Sequence, residues 1–408
     1  MNYLIRLFFL IFSALSIFKY FFKRITTLSI FDYTEEFLLV FCFLVLFIKI
    51  WTKRKGAFIH IVVILFLVYS IFISLLFGLN RDIFDIIAQS IITIKFFIFL
   101  ITFVVLFKNH ILEIKKFLFW VLAFVAFGLI LHLLLGKIFN SIYGVSTYAR
   151  PHLRYTGFFR HPNHLAYVGV IFIALTLDSI KKRDLNINWT GWLKIMAGTG
   201  IIILSDSRTA LLAIPILFSV FYWDYVYKNV TVFFSFIFIG MLSAFFVLLF
   251  TDLSDSIIEN IEMSYSLDTH YIRGLMLYMS FMLIVQYFPI GSGAGTFGSI
   301  FAHDSQVYID FGVSKRYYFI EEWGIYDSNF ASILGEYGFI GIILFFILFN
   351  SAYKNLRYNF SGVKKSPMLK AMFLVFVFFC ISNPMLTNSV YILLSAPAFL
   401  LIANTKEL

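Results

Sequence analysis

Residues 83–107 read IFDIIAQSIITIKFFIFLITFVVLF, and the only charge between Asp85 and Lys108 is Lys95. A hydrocarbon core about 30 Å thick is crossed by about 20 residues of α-helix. In lipid, a helix lets the backbone satisfy its own hydrogen bonds. This stretch therefore predicts a membrane-spanning helix. Apolar runs of the same kind recur at 3–18, 36–50, 58–77, 117–135, 164–177, 191–204, 210–226, 230–250, 329–350, 369–381 and 388–403. The expected fold class is an all-α polytopic membrane protein with about twelve transmembrane helices, forming one integral membrane domain over 1–408. A large outer loop is expected between the ninth and tenth spans.

Composition agrees. The chain has 408 residues, 61% hydrophobic and only 13% charged, whereas a soluble domain is roughly a quarter charged. That excludes a soluble globular protein, a disordered chain and a disulfide scaffold. Its 55 Phe residues point to an AT-rich genome and carry no functional message. Cys42 and Cys380 both fall inside apolar runs, so neither reads as half of a disulfide. The apolar N-terminal stretch lacks a small-residue cleavage site and reads as a retained segment.

The net charge of +10 comes from basic residues in short loops, which predicts orientation and no nucleic-acid partner. Lys53-Arg54-Lys55, Lys108 with Lys115-Lys116, Lys181-Lys182-Arg183, Lys228 and Lys364-Lys365 fall in alternate loops. Those loops are expected to be cytoplasmic, with both termini on the same side of a cytoplasmic (inner) membrane. One group departs from the pattern. Lys19, Lys23 and Arg24 follow the first span on the outer side, so either an interfacial helix follows it or the first two spans are divided differently.

Two outer segments carry the polar information. The loop 136–163 reads GKIFNSIYGVSTYARPHLRYTGFFRHPN and holds Lys137, Arg150, Arg154 and Arg160 with His152 and His161. No acidic residue lies between Glu113 and Asp178. Arginines without carboxylates beside them suggest an anionic ligand, and phosphate suits the planar guanidinium fork. The alternative is a loop lying on anionic headgroups. The segment 251–328 is instead acidic, and its apolar stretch 275–288 is short enough to lie along the interface or dip into the bundle. Gly291, Gly293 and Gly295 follow Pro289. No strand precedes them and no phosphate-binding Lys follows, so a nucleotide loop is rejected; a tight turn or a close backbone approach remains.

Three smaller features complete the reading. Ser205-Asp206-Ser207-Arg208-Thr209 is a polar break between apolar runs, in which Asp206 and Arg208 could pair with each other. Asp327 stands at the mouth of a span, as a functional carboxylate or a helix N-cap. Glu336 lies two to three turns inside that span, where a carboxylate is a functional candidate by default; its alternative is a structural pairing with Lys95.

Taken in order, these motifs resemble the bacterial O-antigen ligase and polymerase family. The resemblance is carried by 154–159 (RYTGFF) with 161–166 (HPNHLA), by Ser207-Arg208-Thr209, and by Arg273 upstream of 289–293 (PIGSG). Its last part is Asp327-Ser328-Asn329 leading into 335–341 (GEYGFIG). It implies a fold similar to the GT-C type of membrane glycosyltransferase, acting without a cofactor on undecaprenyl-pyrophosphate-linked sugars at the outer face. It also implies that Arg154 or Arg160, Arg208 and Arg273 grip the lipid pyrophosphate, with His161, Asn163 and Asn329 as further substrate contacts. Ligases of the family have a His where this sequence has Asp327, a departure that favours a polymerase.

The chemistry expected is transfer of a growing glycan from undecaprenyl pyrophosphate to a sugar hydroxyl of a second lipid-linked repeat unit. Asp327 is the first candidate for the base, with Glu336 and His270 behind it. His161 and His164, three apart with no carboxylate nearby, do not read as a metal site. A chain-length regulator is a conceivable partner besides membrane lipid. The alternatives are an O-antigen ligase using lipid A-core and, from another class, a lipid-oligosaccharide flippase.

Overall fold

The computed structural model describes residues 3–53, 58–79, 82–143, 154–183, 188–223, 271–361 and 367–404, and among them there is no strand. The helices in chain order are α1 (Tyr3–Ile17), α2 (Lys19–Thr26), α3 (Thr34–Lys53), α4 (Phe58–Phe77) and α5 (Ile83–Phe107). There follow α6 (Ile111–Leu135), α7 (Lys137–Tyr143), α8 (Pro162–Arg183), α9 (Trp189–Leu204) and α10 (Arg208–Phe221). The remainder are α11 (Ile272–Gln286), α12 (Gln306–Asp310), α13 (Tyr317–Ile320), α14 (Asn329–Leu356), α15 (Pro367–Cys380) and α16 (Ser389–Ala403). The apolar runs expected at 58–77 and 83–107 coincide with α4 and α5; the run at 230–250 lies outside the described residues.

The helices α5 and α16 form the centre. Both are apolar around their whole circumference and buried on nearly every side, the pattern of a helix with protein all round it. Phe96 of α5 stacks on Phe376 of α15 at 4.3 Å, and Phe373 stacks on Phe399 of α16 at 4.5 Å. The peripheral helices α4 and α6 instead leave Leu65, Phe72, Phe119 and Phe127 exposed, which suits a lipid-facing surface.

Among the described residues five helices are long and apolar enough to cross a membrane: α4, α5, α6, α8 and α14. The pair α1 and α2, bent by 75°, adds a sixth if counted as one span. Several expected spans form helices shorter than full membrane thickness, among them α9, α10, α15 and α16. The bend falls where the charge pattern departs from alternation. It carries α2 off the line of α1, and two of its three cations meet carboxylates: Lys19 Nζ lies 3.2 Å from Glu35 and Lys23 Nζ 2.6 Å from Asp32.

The helix α14 is broken at Gly338, whose φ of 62° and ψ of −157° are not helical. A break frees backbone groups, which in a membrane interior need partners. The glycine-rich segment after α11 supplies them. Ser292 N–H donates to the Gly335 carbonyl (2.9 Å), Gly293 N–H to that of Glu336 (2.8 Å), and Ile340 N–H to that of Pro289 (3.2 Å). Tyr69 of α4 donates to the Tyr337 carbonyl at 2.9 Å. Such an approach requires glycine: a Cβ on Gly338 would fall on the Gly291 nitrogen. The close-backbone alternative for 291–295 is therefore the one realised, and what the glycines approach is α14 itself.

The expected helix at 275–288 is α11, one turn earlier, packed along α14. Residues 272–328 build a second small core from Leu275, Met279, Phe297, Tyr308, Phe319 and Ile325.

Candidate functional site

Four helices begin at one end of the bundle around the uncharged loop 382–388. Asn163, in the first turn of α8, donates from Nδ2 to Asn383 Oδ1 at 2.9 Å. Thr209, in the first turn of α10, shares a 3.0 Å hydroxyl bond with Ser382. Asn329, which starts α14, accepts from Leu386 N–H at 2.8 Å and donates to Thr387 Oγ1 at 3.4 Å. Asn388 caps α16 by accepting from Val390 N–H at 3.0 Å. The Tyr391 hydroxyl reaches Asn383 Oδ1 at 3.3 Å. Each helix N-terminus carries about half a positive charge, so the end where four of them meet favours an anion.

The loop is anchored from below by Lys95, which donates to the Thr387 carbonyl at 2.8 Å and pairs with Glu35. Lys95 is therefore not the partner of Glu336 that the structural alternative named. Glu336 is fully buried and bonded elsewhere: its Oε1 accepts from the N–H groups of Gly295 (2.8 Å), Thr296 (3.1 Å) and Phe297 (3.3 Å), and its Oε2 from Gln89 Nε2 (3.0 Å). Glu336 lies about 10 Å of helix rise below Asn329, where α14 starts, and it holds the glycine-rich loop.

Around the mouth of the loop stand the predicted charged residues. Arg154 is fixed by the 205–206 turn, donating to the carbonyls of Ser205 (3.3 Å) and Asp206 (3.1 Å), with the Asp206 carboxylate 3.7 Å away. Asp206 takes a left-handed φ of 49° to make this turn, a conformation Asp tolerates better than most residues. The Arg154 segment is seated on the other side by His132, whose Nδ1 accepts from Thr156 and Gly157 N–H at 3.1 and 3.3 Å. Arg160 is exposed, as is Arg208 at the first position of α10. The Ser207 side chain makes no capping bond to that helix.

Arg273 and Asp327 form an ion pair, with Nε and Nη2 both donating to Asp327 Oδ2 at 3.1 and 2.7 Å. The N-cap of α14 is Ser328, accepting from Ala331 N–H at 3.1 Å, so Asp327 does not cap the helix. Burial pushes His161 down to about 4; Asp327 opposes that shift, and Arg154, Arg273 and Arg160 add to it. The four charged residues thus lie within electrostatic reach of one imidazole.

The His161 Nδ1 accepts from Asn163 N–H at 3.3 Å, which leaves Nε2 as the N–H donor of a neutral ring. The folded-state value lies below the unfolded 6.5, so the ring contributes stability fully above about 6.5, and this is lost as pH falls toward about 4. His161→Gln is expected to remove part of the acid sensitivity of the melting temperature in that window. Parallel melting curves of the two proteins from pH 7 to 4 would refute it.

The structure therefore brings together Arg154, Arg160, His161, Arg273 and Asp327, with Arg208 joined to them through Thr209 and Ser382. Asn163 and Asn329 commit their amides to the 382–388 loop and brace it. His270, Arg150 and His152 lie outside the described residues. Sequence reading missed Ser382, Asn383, Thr387 and Tyr391. The signal available was Pro384 followed by Asn388-Ser389, a break and N-cap between two apolar runs.

Among curated proteins, none matches this chain. Residues 193–346 run from α9 into α14 beyond its break and carry Arg208, Arg273, Asp327 and Glu336, and they match the family model described as O-antigen ligase, which supports placing this chain in the O-antigen ligase and polymerase family.

Proposed function

We propose that this protein is a polysaccharide polymerase of the cytoplasmic membrane with about twelve spans and a GT-C-like arrangement, its site on the outer face. It transfers a growing glycan from undecaprenyl pyrophosphate to a hydroxyl of a second lipid-linked repeat unit. The observation that carries this reading is the meeting of four helix N-termini with Arg154, Arg160, Arg208 and Arg273 at one end of the bundle. As the C1–O bond to pyrophosphate breaks, negative charge grows on the departing oxygens. Fixed guanidinium groups and helix ends stabilise it most where it develops.

The acceptor oxygen attacks C1 as this bond breaks, and its proton goes to a base and then to water. Asp327 is that base. Both bonds from Arg273 end on Oδ2, so Oδ1 is the oxygen that takes the proton. Arg273 thereby orients the carboxylate as well as contributing charge. The neutral His161 offers Nε2–H to a phosphate or sugar oxygen.

The test is the purified protein in detergent with the host's own lipid-linked repeat unit, resolved on a gel. A ladder of lengthening glycan is expected. Asp327→Asn should slow it by about a hundredfold or more; an unchanged rate and chain length would end the base role. The family description makes ligation the second reading. Failure to elongate, with transfer on adding lipid A-core, would establish it. Neither product from a well-folded protein would leave lipid-oligosaccharide transport as the reading.

A further inference from the structure

The turn that leads into Asp327 carries a group of three aromatic rings, Tyr317 and Trp323 exposed and Tyr318 half-buried. Tyr317 is 61% exposed and Trp323 42%. The Tyr318 and Trp323 rings stack with centroids 6.3 Å apart at 14°, and Tyr317 meets Trp323 edge-on at 6.2 Å. Their backbone is fixed: Trp323 N–H donates to the Tyr318 carbonyl at 2.8 Å, and Glu321 N–H to that of Tyr317 at 2.9 Å. Beneath them Phe319 is buried against Tyr308 at 4.7 Å.

Several features place this group at the reacting end. Glu322 holds a left-handed φ of 53°, costly for a long side chain and a feature that tends to persist at functional turns. Gly324 follows, its Cα turned toward Ile272 beside Arg273. Asp327 N–H then closes the turn on the Gly324 carbonyl at 3.3 Å. Trp323 is thus tied by one short turn to the Arg273–Asp327 pair.

Flat rings beside carboxylates complement one class of ligand well. A sugar presents a C–H face to an aromatic ring and a rim of hydroxyls to acceptors such as the exposed Glu321 and Glu322. An anionic headgroup surface would be repelled by those two carboxylates.

We infer that Tyr317, Tyr318 and Trp323 form a platform on which the sugar rings of the acceptor glycan lie while its terminal hydroxyl reaches Asp327. This rests on the glycosyl-transfer reading above. The probe is the free oligosaccharide released by mild acid from the host's lipid-linked repeat unit, titrated calorimetrically into the full chain in detergent. Native protein and Trp323→Phe should bind it alike. The double variant Tyr317→Ala with Trp323→Ala, shown to melt like the native protein, should bind roughly tenfold more weakly and give a shorter ladder.

No binding by native protein, or equal binding by the double variant, overturns the platform. So does quenching of Trp323 (native minus Trp323→Phe emission) by brominated phosphatidylcholine in nanodiscs, which would make the rings a membrane anchor. The two proposals fail separately. Native protein that binds the oligosaccharide but forms no glycosidic bond keeps the platform and loses the reaction. A ladder with unchanged binding in the double variant does the reverse.

Discussion

Glu336→Ala is expected to melt far below the native protein in detergent, although residue 336 lies well below the arginine cluster. The carboxylate accepts three loop N–H bonds and one from Gln89 inside the bundle. Removing it leaves those donors dry, and an unsatisfied buried donor costs about 1–3 kcal/mol. Even the low end for three of them totals roughly 3 kcal/mol, a fall of roughly 5 °C or more in melting temperature. Glu336→Gln separates this cause from simple loss of volume. Its amide oxygen can take over the loop N–H bonds, while its NH2 would face the NH2 of Gln89. A Gln89 flip resolves that clash, because Gln89 Oε1 has no hydrogen-bond partner in the native arrangement. The Gln variant should therefore lose well under half of what Ala loses. If Ala melts within about 1 °C of native, the backbone bonds of Ser292 and Gly293 hold the loop unaided, and the keystone role is wrong.

The partners of Glu336 also show what the sequence could and could not reveal. Lys95 was the obvious candidate because a cation in an apolar run is visible as a letter. Backbone N–H groups have no letter, and three successive ones aimed at one carboxylate arise only from the left-handed glycines and the break at Gly338. The spans themselves were legible wherever the run was long: α4 and α5 match residue for residue, since burial in lipid or protein demands the same apolar helix. Short runs were harder, because α9, α10, α15 and α16 are helices of less than full membrane thickness.

Arg154 and Arg160 stood out as cations in a loop without carboxylates, whereas Arg208 lies two residues from Asp206 and Arg273 sits in the acidic segment 251–328. The sequence could not show that Asp327, 54 residues on, takes both Arg273 bonds. Nor could it show the floor of the site. Ser382, Asn383 and Thr387 are uncharged, and their role comes from lying where four helices start.

Arg208→Ala is expected to cost about a hundredfold or more in kcat with no loss of fold. The side chain is exposed at the first position of α10, so truncation removes little packing, and the melting temperature should hold. On the glycosyl-transfer reading, what it removes is an exposed guanidinium at the start of a helix, a charged donor for the departing pyrophosphate. Losing one such fixed donor costs roughly 3 kcal/mol in the transition state. If Arg208 merely held the ground-state lipid, KM would rise and kcat would survive; a role in departure lowers kcat itself. Arg208→Lys tests the geometry, because it keeps the charge but loses the planar fork that meets two phosphate oxygens at once. The ordering expected is native, then Lys, then Ala, at equal melting temperature. Equal kcat for native and Ala, measured on the host's lipid-linked repeat unit, would remove Arg208 from the site and leave Arg154, Arg160 and Arg273 to hold the pyrophosphate.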